Sequence, residues 1–215
     1  MRHYIIHNSK EKERREKLEK QLDEFNITDV EWVTSFPVEE LGNLSTLESY
    51  KPLSQMSCDM KHMDALNRMV KEGLEEAIIF ENDVIFSDLY DETKIPKVPY
   101  VKLGRGPPDI QLKFSQEPTV FDNNGGNEAY YVNLRFASTF KPSMKWTMDI
   151  EQQAFLFMKG IPLICVPMCY QEYISTHTVS TPPINWMEFI INFPAYEKYS
   201  FDELIFKIRS EVKDV

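Results

Sequence analysis

AIIFENDVIF, residues 77–86, sets two carboxylates between two apolar runs. Residues 77–80 are continuous strand formers, the pattern of a parallel strand covered on both faces. Val84, Ile85 and Phe86 resume the apolar pattern at once. Alternation along an extended segment puts Glu81 and Asp83 on one side and Asn82 on the other. Two such carboxylates repel unless a positive group lies between them. In open α/β sheets, ligands bind beyond the carboxyl ends of strands. A hard divalent cation, Mn2+ or Mg2+, suits oxygen ligands at that place. The plainer reading is an acidic turn paired with Lys or Arg. The flanking apolar runs weigh against it, because these carboxylates cannot belong to an ordinary solvated loop.

Working outward, residues 55–72 carry Met56, Met60, Met63, Leu66, Met69 and Val70 at three- and four-residue steps. That spacing predicts an amphipathic helix, stopped by Gly73. Its methionines read as a core face rather than a promiscuous peptide groove. Upstream, residues 3–7 read as a buried strand. Ser9 can cap a surface helix over 10–25 with Leu18, Leu22 and Phe25 apolar. Residues 30–33 form a second strand that ends at Ser35-Phe36-Pro37. Downstream, strands are predicted at 98–103, 129–132 and 161–166, with a turn-rich stretch at 104–126. A helix over 151–159 stops at Gly160. Ser200 and Glu203 form a capping box that opens a last helix with Leu204, Ile205 and Ile208. Strands and helices alternate. The expectation is α/β: one domain over residues 1–215 whose mixed, mostly parallel central sheet is flanked by helices.

Charge narrows the function classes. Lys and Arg number 24 against 34 Asp and Glu, a formal charge of −10. With no long basic cluster, a nucleic-acid partner is not expected. Cys58, Cys165 and Cys169 are an odd count without a framework spacing, so free thiols in a reducing compartment are predicted. No apolar run reaches membrane-spanning length, and the apolar N-terminal stretch is too short for a signal peptide. The chain reads as cytoplasmic.

The run MKHMDALNRMVKEGLEEAIIFENDVIF, residues 60–86, resembles the signature of glycosyltransferase family 25. Those enzymes carry a Ser-His pair on a helix, a spacer ending in Gly, and a strand closing in Glu-Asp-Asp. His62 matches the family His, Lys61 stands where Ser is usual, and Asn82 replaces the middle acid. Asp83 matches the carboxylate that usually holds the metal. The likeness continues through Asn8 and Arg15, through Ala129, Tyr130 and Ala137, through Met148-Asp149, and through Pro167 and Gln171. It spans about residues 3–180 in the expected order. The resemblance implies a GT-A fold with a donor-binding half over about 1–105 and an acceptor half over about 106–215. It implies a nucleotide-sugar donor, UDP-linked by preference, a glycan or glycoprotein acceptor, and Mn2+ or Mg2+. Large algal DNA viruses encode short enzymes of this type; for such a member the compartment is the host cytoplasm. Whether the chain is a whole protein or one domain of a longer one stays open.

Roles follow for single residues. Asp83, Glu81 and His177 are the expected metal ligands. His7, Asn8, Arg15, His62, Lys102 and Arg105 are the expected donor contacts. Each also has a plain reading: His62 as a hydrogen-bonded core histidine, Lys102 and Arg105 as a strand-to-turn exit, His177 as a loop histidine. Asp149 is the expected general base for the acceptor hydroxyl, with helix N-cap as its alternative and Asp109 next in line. Two other functions compete. One is a metal-dependent nucleotidyltransferase or phosphohydrolase, disfavoured because HNSKEKER, after the first strand, has no Gly. The other is an inactive GT-A-like interaction domain.

Overall fold

The computed structural model describes residues 1–41, 52–104, 119–120, 127–142 and 147–172. Among these, one mixed sheet contains β1 (Arg2–Ile6), β2 (Val30–Val33), β3 (Glu76–Glu81), β4 (Val84–Phe86), β5 (Tyr100–Gly104), β6 (Thr119–Val120), β7 (Ala129–Asn133) and β8 (Ile164–Gln171). The order is β2-β1-β3-β7-β5-β8-β4, with β6 pairing β8. The helices are α1 (Lys12–Glu24), α2 (Leu53–Glu72), α3 (Leu134–Thr139) and α4 (Met148–Met158). The predicted helix beyond residue 200 lies outside the described residues.

The sheet is mixed, as expected, but not mostly parallel. Three described pairings are parallel, β1 with β2, β1 with β3, and β5 with β8. Four are antiparallel, β3 with β7, β5 with β7, β4 with β8, and β6 with β8. The apolar run of β3 reports only that both faces are covered. Apolar side chains on both faces say nothing of the direction of the neighbouring strand, and β3 is antiparallel to β7.

Chain connectivity makes the sheet curl. Only Asn82 and Asp83 separate β3 from β4, yet four strand spacings separate the two in the sheet order. Four spacings in a flat sheet span roughly 19 Å. Three residue steps from Glu81 to Val84 reach at most about 11 Å. The sheet must therefore bend until its β4 end approaches β3. Phe80 of β3 and Phe86 of β4 meet edge to face with centroids 5.0 Å apart. The acidic turn is the seam of this curl.

Two apolar clusters hold the sheet. On one face α1 contributes Leu18 and Leu22, which pack with Ile5, Ile78, Phe80, Val84, Phe86, Val101 and Val166. On the other face α2 contributes its methionines and Leu66. They pack with Tyr4, Ile79, Tyr130, Phe136 of α3 and Phe155 of α4.

Element ends differ from the sequence expectation for local reasons. The N-cap of α1 is Glu11, not Ser9. Asn8 Oδ1 accepts from Lys10 N–H at 3.2 Å, and Glu11 N–H donates to the Asn8 carbonyl at 2.9 Å. That turn occupies residues 8–11 before the helix can begin. At the other end of its range, α2 stops as predicted, with Gly73 left-handed at φ 65. Helix α4 starts at Met148, because Asp59 of α2 accepts the Met148 N–H at 3.1 Å. Strand β8 extends to Gln171 because β4 pairs with residues 169–171.

Candidate functional site

Strands β2, β1 and β3 run parallel, so their carboxyl ends share one edge of the fold. Ile6 is in register with Val33 and with Glu81. Just beyond, Asn82 N–H donates to the Ile6 carbonyl at 3.1 Å. Its side-chain amide donates to Glu11 Oε2 at 2.7 Å and lies 3.2 Å from His7 Nδ1. His7 is buried and meets Trp32 edge-on at 5.1 Å. Burial, and next the Arg15 charge, lower its pKa, so the ring is neutral and Nδ1 accepts from Asn82. The Arg15 guanidinium lies 4.5 Å over the Trp32 ring and pairs with Glu19 at 2.8 Å. Asn8 is exposed beside them. This edge thus gathers His7, Asn8, Arg15 and Asn82. It adds Trp32, whose part the sequence does not signal.

Asp83 is buried at the seam. The antiparallel register sets Val84 opposite Gln171, which brings Gln171 Nε2 to 3.0 Å from Asp83 Oδ2. Glu172 N–H donates to the Asp83 carbonyl at 2.8 Å. Asp83 Oδ1 is buried with no hydrogen-bond partner among the described residues. Burial pushes the Asp83 pKa up to about 6, and the Glu81 carboxyl beside it, where ionised, acts in the same direction. A buried anionic oxygen of this kind suits a cation or a proton donor.

Glu81 ends β3 on the α2 face, where His62 Nε2 lies 3.1 Å from its Oε1. The other ring nitrogen of His62 lies 2.9 Å from the Tyr130 hydroxyl. Burial lowers the His62 pKa to about 4. Burial first, then the charges of Glu128, Asp149 and Asp59, raise Glu81 to about 8. At neutral pH both groups are therefore uncharged. The Glu81 carboxyl donates to His62 Nε2, and His62 Nδ1–H donates to the Tyr130 oxygen; these donors follow from protonation, not from observed hydrogens. His62 sits in the network as the supporting core histidine rather than open to a donor. Cys58, one helical turn before His62, completes a group whose ligand atoms all lie within 4.8 Å of one another. Cys58, His62 and Glu81 are a possible metal-binding triad.

Cross-strand registers bring further charges to this face. Glu81 N–H donates to the carbonyl of Glu128, the residue just before β7, at 2.9 Å, which brings the two residues side by side. A Cβ on Gly104 would come 2.5 Å from Glu128 Cγ, so only glycine leaves room for Glu128 there. Lys102 is opposite Tyr130, inside β5 and buried. It is not a strand-to-turn exit; its charge opposes the rise in the Glu81 pKa. Asp149 is the second residue of α4, and the N-cap is Thr147. The Thr147 hydroxyl donates to Asp149 Oδ1. The N-cap reading of Asp149 is thus corrected. Its charge raises Glu81 and opposes the fall in His62, which puts it beside the same network.

Lys61 is buried where the family pattern has Ser. Its ammonium donates to Ser57 Oγ and reaches the Phe36 carbonyl at 3.5 Å. Phe36 presents that carbonyl from a left-handed backbone, φ 53. Arg105, Asp109 and His177 lie outside the described residues. Asp59, Glu128, Gln152 and Trp32 enter the arrangement only through sheet register and helix packing. Cys58 had a readable signal, its four-residue step to His62 on one helix. No family model matches the chain, and no curated protein matches it.

Proposed function

We propose that the chain is a GT-A-like, metal-dependent glycosyltransferase that moves a sugar from a nucleotide-sugar, UDP-linked by preference, to a glycan or glycoprotein acceptor. The observation that carries this reading is Asp83. It is a buried strand-end carboxylate with one oxygen held by Gln171 and the other without a hydrogen-bond partner among the described residues. An oxygen donor in that state fits Mn2+ or Mg2+. Such an ion, when bound, neutralises the charge that develops on the leaving diphosphate.

The protein residues divide the remaining work. His7, Asn82 and Trp32 line the edge beside Asp83 and suit a nucleoside. Arg15 supplies a guanidinium for its anionic or carbonyl oxygens. Gln171 orients Asp83. In the transfer, the bond from the sugar anomeric carbon to the diphosphate breaks as the acceptor oxygen bonds to that carbon. Asp149, at the start of α4, takes the acceptor proton in a single displacement at the anomeric carbon, an inverting course.

Calorimetric titration of UDP in the presence of Mn2+ tests the reading. Asp83→Ala abolishes Mn2+-dependent UDP binding. The fold survives, because a carboxylate whose pKa is raised on folding contributes no net stability in its charged form. Normal Mn2+ and UDP binding by the variant removes Asp83 from the site. Asp149→Asn keeps donor binding and lowers transfer by about 10²–10⁴-fold.

A further inference from the structure

We propose that Cys58, His62 and Glu81 form a site for a borderline-soft transition metal, zinc above all. This site is separate from the hard-cation role given to Asp83 and does not depend on the transferase reading.

Three observations converge on it. Cys58 and His62 are four residues apart on α2, the spacing that sets two side chains on one helical face. Glu81 closes β3 on the face that α2 covers. All three ligand atoms lie within 4.8 Å of one another. The spacing also fits a tetrahedral ion. Metal–nitrogen and metal–oxygen bonds of about 2.0–2.1 Å hold N and O roughly 3.3–3.4 Å apart. His62 Nε2 and Glu81 Oε1 are 3.1 Å apart. A zinc–sulfur bond of about 2.3 Å puts S and N roughly 3.6 Å apart, and the thiol already lies within 4.8 Å of the other two ligand atoms.

The surroundings resemble a prepared site. Ligating histidines donate their second nitrogen to a partner that fixes the ring. Tyr130 fills that place, 2.9 Å from His62 Nδ1. The Glu81 side chain keeps 20% of its exposure, and Cys58 is partly exposed, which leaves a route for an ion. The donor set selects the metal. Thiolate and imidazole favour zinc over magnesium, calcium or manganese. Three protein ligands leave a fourth position for water or substrate. On binding, the Cys58 thiol and the Glu81 carboxyl each release a proton.

The experiment is titration of chelator-treated protein with Co2+, read by absorbance. One Co2+ per chain gives a sulfur-to-cobalt charge-transfer band that stoichiometric Zn2+ removes. Cys58→Ser loses the band and weakens Zn2+ binding more than about 100-fold, and Tyr130→Phe weakens it about 10–100-fold. Asp83→Ala and the Cys165→Ser/Cys169→Ser double variant keep the band. Zn2+ also protects Cys58 of the unsubstituted protein from iodoacetamide, mapped by mass spectrometry; this readout needs no variant to fold. Absence of the band at equimolar Co2+ overturns the proposal. So does its survival in Cys58→Ser, its loss in Asp83→Ala or in the double variant, or unprotected alkylation of Cys58.

Discussion

The two faces of the sheet are packed on opposite principles. Under α1, Phe80, Phe86, Tyr90 and Phe25 form one aromatic cluster, with Phe86 and Tyr90 centroids 4.7 Å apart. Buried His3 stacks on Phe80, and its Nε2 lies 2.9 Å from Glu92 Oε1. Under α2, Tyr100 and Tyr130 also stack, at 5.4 Å. Their hydroxyls, however, enter a buried polar network. Tyr130 meets His62, and Tyr100 donates to Gln152 at 3.0 Å. Lys61, Asp59, Lys102 and Glu128 are buried around it. Burying so many polar groups costs free energy unless each finds a partner. The α1 face is thus held by apolar and aromatic packing, whereas the α2 face adds to its apolar cluster a buried polar network at the end nearest Glu81.

Four substitutions sharpen that contrast, taken from the largest effect to the smallest. Phe80→Ala removes a fully buried ring from the α1 face and should cost about 3–5 kcal/mol in urea denaturation. A cost under about 1 kcal/mol would mean that the aromatic cluster is not the stabilising half. Tyr130→Phe keeps the ring on the α2 face but leaves His62 Nδ1–H without its acceptor. The expected loss is about 1–3 kcal/mol, and an unchanged denaturation midpoint would mean that another group satisfies His62.

The third test is pH dependence in chelator-treated protein. A carboxyl raised to about 8 stays protonated in the fold but ionises in the unfolded chain, so its contribution falls as pH rises from its ordinary range to about 8. Asp83, raised to about 6, acts the same way below that pH. His62, lowered to about 4, acts with the opposite sign up to its ordinary value near 6.5. Between pH 6.5 and 8 Glu81 alone of these three still titrates. Stability should fall there by at most about 1.4 kcal/mol per pH unit. Glu81→Gln should flatten the slope, and an unchanged slope in the variant would place the titrating group elsewhere. Smallest is Arg15→Ala, which removes an exposed ion pair and a contact over Trp32 and should cost under about 1 kcal/mol. Weaker UDP binding without that stability loss would make Arg15 a ligand contact.

Local pattern carried much of this fold. Helix α2 was legible from its methionine spacing and from Gly73. Strand β2 was legible over its whole length, and the buried β3 and its acidic end were plain, because side-chain period and backbone freedom are local properties. The same stretch placed Asp83 at a strand end. Direction and register are long-range, and they were not legible. Nothing near Asp83 says that β8 delivers Gln171 to it. Nothing in NEAYY says that Glu128 lies beside Glu81 at the end of the β3–β7 pairing. Lys102 looked like a strand exit because its glycine neighbours suggest a turn, yet pairing with β7 and β8 keeps it inside.

The sequence by itself determined the α/β class, the amphipathic helices and the residue types available for a site. A short covalent span then met a long sheet order, and only the tertiary structure decided how: two residues join β3 to β4, so the sheet curls and the acidic turn becomes buried. Burial is what separates the two carboxylates. Among the described residues, Asp83 keeps an oxygen without a hydrogen-bond partner at the seam, while Glu81 turns to His62 and Cys58 on the α2 face. Their proximity in sequence is local; their different surroundings are set by strands and helices distant along the chain.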